Sequence, residues 1–148
     1  MSGPYARHVS GSVEVRTTDM DVQEDALKVT FLGGGEASMF IGGDHMDLRE
    51  YYDGGVVRFR VRLDQPPADE LLLSINGKSV RLDQALADRI GQGWQSMEIP
   101  VSCFAEGAES LAAVWDVFKL SSAARAEVSV GQIELLTAGT GSDRIQCN

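Results

Sequence analysis

Residues 56–63 read VVRFRVRL, and this stretch limits what the chain can fold into more than any other. Val57, Phe59, Val61 and Leu63 alternate with Arg58, Arg60 and Arg62. Successive side chains of a strand point to opposite faces, so a period of two gives one apolar face and one wet face. Such a strand belongs to an antiparallel sheet that lays one side on a core. Pro66-Pro67 ends it.

The same logic places further strands. Residues 12–17 (SVEVRT) alternate weakly, and residues 26–32 (ALKVTFL) put Leu27, Val29 and Phe31 on one face. Residues 37–41 (ASMFI) form a short apolar strand that Gly42-Gly43 is expected to end. Residues 70–76 (ELLLSIN) lead into Asn76-Gly77, a strong tight-turn signal. Residues 94–104 read as one strand, with Pro100 marking an edge or a bulge. Residues 111–120 and 126–136 are the last two strands, and the alternation of the second slips at Gly131, as a bulge would require. Residues 83–90 are the one convincing helix, with Asp83 as N-cap and Gly91 as the left-handed stop. Eight or so closely spaced strands with one short helix predict an all-β jelly-roll β-sandwich, with a closed barrel as the lesser alternative. Residues 1–11 are expected to be a loose N-terminal segment, 12–137 the sandwich, and 138–148 a mobile tail.

A chain of 148 residues fits one domain and needs no staple to bury a core. No run approaches the length of a membrane span, and MSGPYARHVSGS lacks the apolar stretch of a secretory signal. The net charge of −9 argues against nucleic acid and against an anionic membrane surface as partners, but leaves neutral sugars open. Two cysteines make no framework. Cys103 shares the parity of Met97 and Ile99 and reads as an inert core thiol. A bond to Cys147 is open to the sequence, although the simpler reading leaves a tail cysteine free.

Few constellations suggest chemistry. Gly33-Gly34-Gly35 lacks the Lys-Ser/Thr of a phosphate loop and reads as a turn. No nucleophile elbow is present, and no catalytic residue is assigned. Asp44, His45 and Asp47 form the best metal-like cluster, although a polar loop explains them as well. The arginine row could face Glu70, Glu98 or Glu127 on neighbouring strands, giving either a solvated ion-paired face or a groove for a glycan. Trp94 and Trp115 could stack on sugars, or pack at the ends of the sandwich. The candidate carbohydrate set is therefore Trp94, Trp115, Arg58, Arg60 and Glu98.

The order of several short motifs resembles a known family. Gly93-Trp94-Gln95, Ile99-Pro100-Val101, Cys103-Phe104 and the closing residues 128–136 are similar to the C-terminal β-sandwich of ExoP-type exo-β-glucanases and β-glucosidases of glycoside hydrolase family 3. Val117-Phe118-Lys119-Leu120-Ser121, Asp47-Leu48 and Val80-Arg81-Leu82-Asp83 also fit its pattern. The resemblance covers about three-quarters of the chain. It implies a galactose-binding-like jelly roll that follows two catalytic domains in a periplasmic or secreted parent enzyme. The implied role is that of a non-catalytic accessory domain, partnered by those catalytic domains, with a carbohydrate-binding module for β-glucan oligosaccharides as the alternative. No cofactor is required. A structural calcium ion is implied as an option, with Asp44, Asp47, Glu14, Asp25 and Glu134 as candidate ligands. Relatives carry cysteines in the loop corresponding to residues 74–80, where this chain has none, so Cys103 has no partner there.

Overall fold

Two largely antiparallel sheets face each other, and Phe59 of one meets Phe118 of the other edge to face, with ring centroids 5.6 Å apart. The computed structural model describes residues 6–20, 26–141, 143–145 and 147. The strands are β1 (Ala6–Ser10), β2 (Val13–Thr18), β3 (Ala26–Leu32), β4 (Ala37–Met46), β5 (Val56–Arg62), β6 (Leu72–Ile75), β7 (Lys78–Arg81), β8 (Gln95–Pro100), β9 (Val114–Ser122), β10 (Arg125–Leu136) and β11 (Asp143–Arg144). One sheet has the order β1-β4-β9-β6-β7 and the other β11-β8-β5-β10-β3-β2. This is the expected sandwich. Among the described residues no helix is long and apolar enough to cross a membrane.

The arginine strand lies inside the six-stranded sheet, between β8 and β10. Val57, Phe59 and Val61 are buried against Met39, Leu73, Phe118 and Leu120 from the opposite layer, within one continuous core. Burying a side chain of this size is worth roughly 1.5–3 kcal/mol, so the apolar rows of β3, β5, β8 and β9 supply the main driving force. On β10 the register shifts between Gly131 and Glu134, and Gln132 takes φ 48, so the expected slip is a true bulge. Asn76 and Gly77 have φ of 58 and 78 and join β6 to β7 as a two-residue hairpin, as the primed turns require.

Several expectations fail for identifiable reasons. Gly42-Gly43 does not end β4, which continues to Met46 through two irregularities of register against β9. Without side chains to resist it, the backbone bulges there rather than stopping. The helix is one turn, α1 (Leu82–Ala85), followed by a 3-10 turn at Ala87–Arg89. Asp83 is not its N-cap. It lies within the turn, accepts Arg81 Nε and Nη2 at 2.9 and 2.7 Å, and accepts the Leu71 amide at 3.2 Å. Gly91 does supply the left-handed stop, at φ 78. The strand at 94–104 is shorter than expected: β8 stops at Pro100, which cannot continue a ladder, and Val101–Phe104 is a 3-10 turn.

Both ends of the described chain are tied down. Residues 6–10, placed in the loose segment, pair with β4 as β1. Within the stretch expected to be a mobile tail, the described residues Asp143 and Arg144 pair parallel to β8 as β11, and Ile145 is buried in the core. Cys147 is bonded to Cys103, with Cα atoms 5.7 Å apart, so neither is the free thiol expected. Cys103 sits half-buried on the 3-10 turn rather than in a core strand, and that turn aims it at the returning tail.

Candidate carbohydrate-binding surface

The outward face of the six-stranded sheet is charged and self-paired. Arg58 donates to Glu134 at 2.6 Å across the β5–β10 ladder, and Arg62 pairs with Asp64 at 2.7 Å. Lys28 reaches Glu127 at 3.4 Å, and Arg60 also has a partner. Of the three carboxylates expected opposite the arginines, only Glu98 stands there, directly across from Arg58. Glu127 serves Lys28, and Glu70 serves Arg81 at 3.0 Å on the other sheet. Exposed pairs of this kind are worth about 0–1 kcal/mol each and mainly fix register.

Glu98 is the exception, because it is 2% exposed on a face that is otherwise wet. The returning chain covers it. Arg144 Nη2 donates to Glu98 Oε1 at 3.1 Å, and the Thr140 amide and hydroxyl donate to Oε2 at 3.1 and 3.2 Å. Burial alone pushes this carboxyl up. The Thr140 and Arg144 donors outweigh burial and hold it below its ordinary value. Its acceptor atoms are therefore spent inside the protein and are not offered to a ligand.

The two tryptophans do not share a surface. Trp94 is half-buried just before β8 of the six-stranded sheet. Trp115 lies on β9 of the five-stranded sheet and is 45% exposed. His45, near the end of β4, stands against it with ring centroids 5.2 Å apart and planes inclined by 55°. The proposed set thus splits: Arg58, Arg60 and Glu98 are neighbours on one sheet, Trp94 lies at the margin of that sheet, and Trp115 belongs to the opposite layer.

Those metal candidates that are described, Glu14, Asp47 and Glu134, are held apart in ion pairs of their own. Glu14 on β2 pairs with Arg16 at 3.6 Å, and Glu134 on β10 is held by Arg58. Asp47 is gripped by Arg49, which donates from its amide, Nε and Nη2 at 3.1, 2.9 and 2.7 Å. Those hydrogen bonds pull the Asp47 carboxyl down to about 2. Asp25 and the Asp44 side chain lie outside the described residues. Among the described residues, no group of three or more His, Cys, Asp and Glu side chains could hold a metal ion.

Two participants escaped the sequence reading: His45 as the partner of Trp115 and Arg144 as the partner of Glu98. The bond between Cys103 and Cys147 was open to the sequence, and it is the simpler reading of a free tail cysteine that fails.

Comparison with known proteins places this architecture. The Exop_C family model, described as galactose-binding domain-like, matches residues 2–135. The extra C-terminal domain of exo-1,3/1,4-β-glucanase from a Pseudoalteromonas species shares the fold with a TM-score of 0.75 at 13% identity, over 93% of this chain and 78% of that one. The chain spans 17% of the length of that whole exo-glucanase. A family 30 carbohydrate-binding module superposes with a TM-score of 0.65 at 12% identity, over 93% of this chain and 80% of that one. A family 11 carbohydrate-binding module from Clostridium thermocellum, solved with a β-1,3-1,4-mixed-linked tetrasaccharide, gives a TM-score of 0.55 at 15% identity, over 90% and 89%. No curated protein sequence matches the chain. The chain belongs to the Exop_C family of galactose-binding-like domains.

Proposed function

We propose that the chain is a non-catalytic accessory domain of a glycoside hydrolase acting on β-glucans, and that it contacts the saccharide itself. The observation that carries this reading is the family match over nearly the whole chain, together with a shared fold with the extra C-terminal domain of an exo-1,3/1,4-β-glucanase. The contact with sugar is supported by Trp115, the one aromatic among the exposed large apolar side chains described. An indole with one open side offers an apolar surface to the C–H face of a pyranose ring, and the neighbouring His45 imidazole holds its tilt.

Titration with a mixed-linkage β-1,3-1,4-glucan tetrasaccharide, followed by amide chemical shifts, tests the reading. Shifts centred on Trp115 and His45, weakened about tenfold or more by Trp115→Ala, are expected. The absence of any shift at millimolar tetrasaccharide would overturn the sugar contact. It would leave a domain that serves the catalytic domains by packing alone.

A further inference from the structure

The two outward faces of the sandwich differ in kind. That of the six-stranded sheet is filled with matched ion pairs. On the five-stranded sheet, four neighbouring strands set two rows of side chains outward. Across β4, β9, β6 and β7 one row reads Ser38, Ser121, Leu72, Arg81 and the next Phe40, Lys119, Ser74, Ser79. These positions alternate with the buried Met39, Leu120, Leu73 and Val80, so they face away from the core. Half are serines, and Ser74 and Ser121 are only 6% and 7% exposed although they point outward. They form the floor of a trough whose walls are the longer side chains.

Lys119 stands at mid-sheet between Phe40 and Ser74, half-buried, with no ion pair or hydrogen bond among the described residues. An ammonium without a described partner on an acidic protein, where the other face pairs its cations, is a donor group in reserve. The row through Ser121 and Leu72 runs into a groove of 130 Å³ closed by Glu36, Asp69 and Glu70. Glu36 has no partner among the described residues. The trough therefore offers an ammonium that only donates, the Ser38 and Ser121 hydroxyls that do both, and a carboxylate that only accepts, beside the apolar Leu72, while the Ser74 and Ser79 hydroxyls share a hydrogen bond of 2.6 Å. Such a mixture matches a ligand made of hydroxyl groups on a C–H framework. A polyanion would meet the net charge of −9 and the carboxylate end, so the occupant is a neutral saccharide chain.

We infer that this trough, from Lys119 to Glu36, is a binding track for a neutral β-linked oligosaccharide, with Lys119 and Glu36 as its donor and acceptor poles. The inference rests on the reading that the domain binds sugar and gives that reading a location. Trp115 and Ser121 lie six residues apart on β9, about 20 Å along the strand. The indole thus shares β9 with Lys119 and Ser121 of the track.

The test is calorimetric titration of the chain with the mixed-linkage tetrasaccharide, with Lys119→Met, Glu36→Gln, Leu72→Arg and Arg62→Ala compared. Lys119→Met keeps the stem and removes the charge, while Leu72→Arg fills the trough. Affinity is expected to fall about tenfold or more with Lys119→Met and with Leu72→Arg, and about threefold or more with Glu36→Gln. Arg62→Ala on the opposite sheet should leave it unchanged, and melting temperatures should verify that each variant is folded. If Trp115→Ala abolishes binding while Lys119→Met and Leu72→Arg do not alter it, the track is refuted and the sugar-binding reading stands. If the parent chain takes up no tetrasaccharide at millimolar concentration, both are refuted together.

Discussion

Glu98 and Arg144 form an ion pair of 3.1 Å whose members live in different environments, the carboxylate side chain 2% exposed and the guanidinium 49%. The arginine arrives from a two-residue strand at the end of the chain and brings Thr140 with it. The pair is thus a clasp between the returning chain and the six-stranded sheet. Because folding lowers the Glu98 pKa below its ordinary value of 4.5, the clasp favours the ionised form. Its contribution is fully present above that value and is lost as the pH falls through the lower folded value. Glu98→Gln should cost about 1–3 kcal/mol at neutral pH in urea unfolding. It should also flatten the decline in stability below pH 4.5 relative to the parent chain. An unchanged acid profile would show that the clasp contributes nothing.

The disulfide closes a loop with a sequence separation of 44 residues. Removing the crosslink frees the unfolded chain, so Cys147→Ser should cost about 2–4 kcal/mol, read from the unfolding midpoint with and without reductant. The parent chain should release no thiol to an aromatic disulfide reagent until it is reduced. A parent chain that already reacts at two thiols would contradict the bond.

Two glycines should respond to alanine for opposite reasons. Gly77 lies at φ 78 with open space where an added methyl would stand, so Gly77→Ala costs only backbone strain, about 1 kcal/mol. Gly55 has no positive φ, but a methyl there would run into the Tyr51 carbonyl, whose oxygen accepts the Gly55 amide at 3.1 Å. Gly55→Ala should therefore cost more, about 2–3 kcal/mol. Thermal melts of the two variants decide the order, and a milder effect at Gly55 would contradict it.

Asp47 should titrate near pH 2 rather than at its ordinary 3.8, because Arg49 grips both of its oxygens. Carbon-detected NMR of the side-chain carboxyl follows this directly. Arg49→Ala should return the midpoint to the usual aspartate range. A midpoint near the ordinary 3.8 in the parent chain would mean that the grip does not persist in solution.

What could be read in the sequence followed side-chain period. β3 and β5 were legible because their alternation is long and their apolar members are large enough to demand burial. β7 (KSVR) and β11 (DR) carry no such signal. The first is a strand because a two-residue turn folds it onto β6, and the second because it finds a seat beside β8. Asp83 looked like a cap by position, but Arg81 two residues earlier competes for its carboxylate. At the candidate site, the opposition of Arg58 and Glu98 was visible in the pattern. The partner that Glu98 takes was not, since it depends on the path of the chain's last stretch. Trp115 was likewise read without a face, because the irregular pairing of β4 and β9 decides how that stretch is presented.

The edges of the two layers carry one more consequence. β1 and β2 are consecutive in the chain but sit at the margins of different sheets, joined at Gly11, where a methyl would strike Glu36 and Ala37. At the opposite margin β7 and β11 line one groove with Cys103 and Cys147. One open seam of the sandwich is therefore bridged by chain continuity, and the other is lined by the crosslink that ties the end of the chain to the six-stranded sheet. Sliding of one layer over the other, the softest motion available to two stacked sheets, would have to work against the continuous β1–β2 connection. A sheet fixed in this way presents its outward rows at constant spacing. A surface that meets a repeating polymer benefits from that, because little ordering is left to be done on contact.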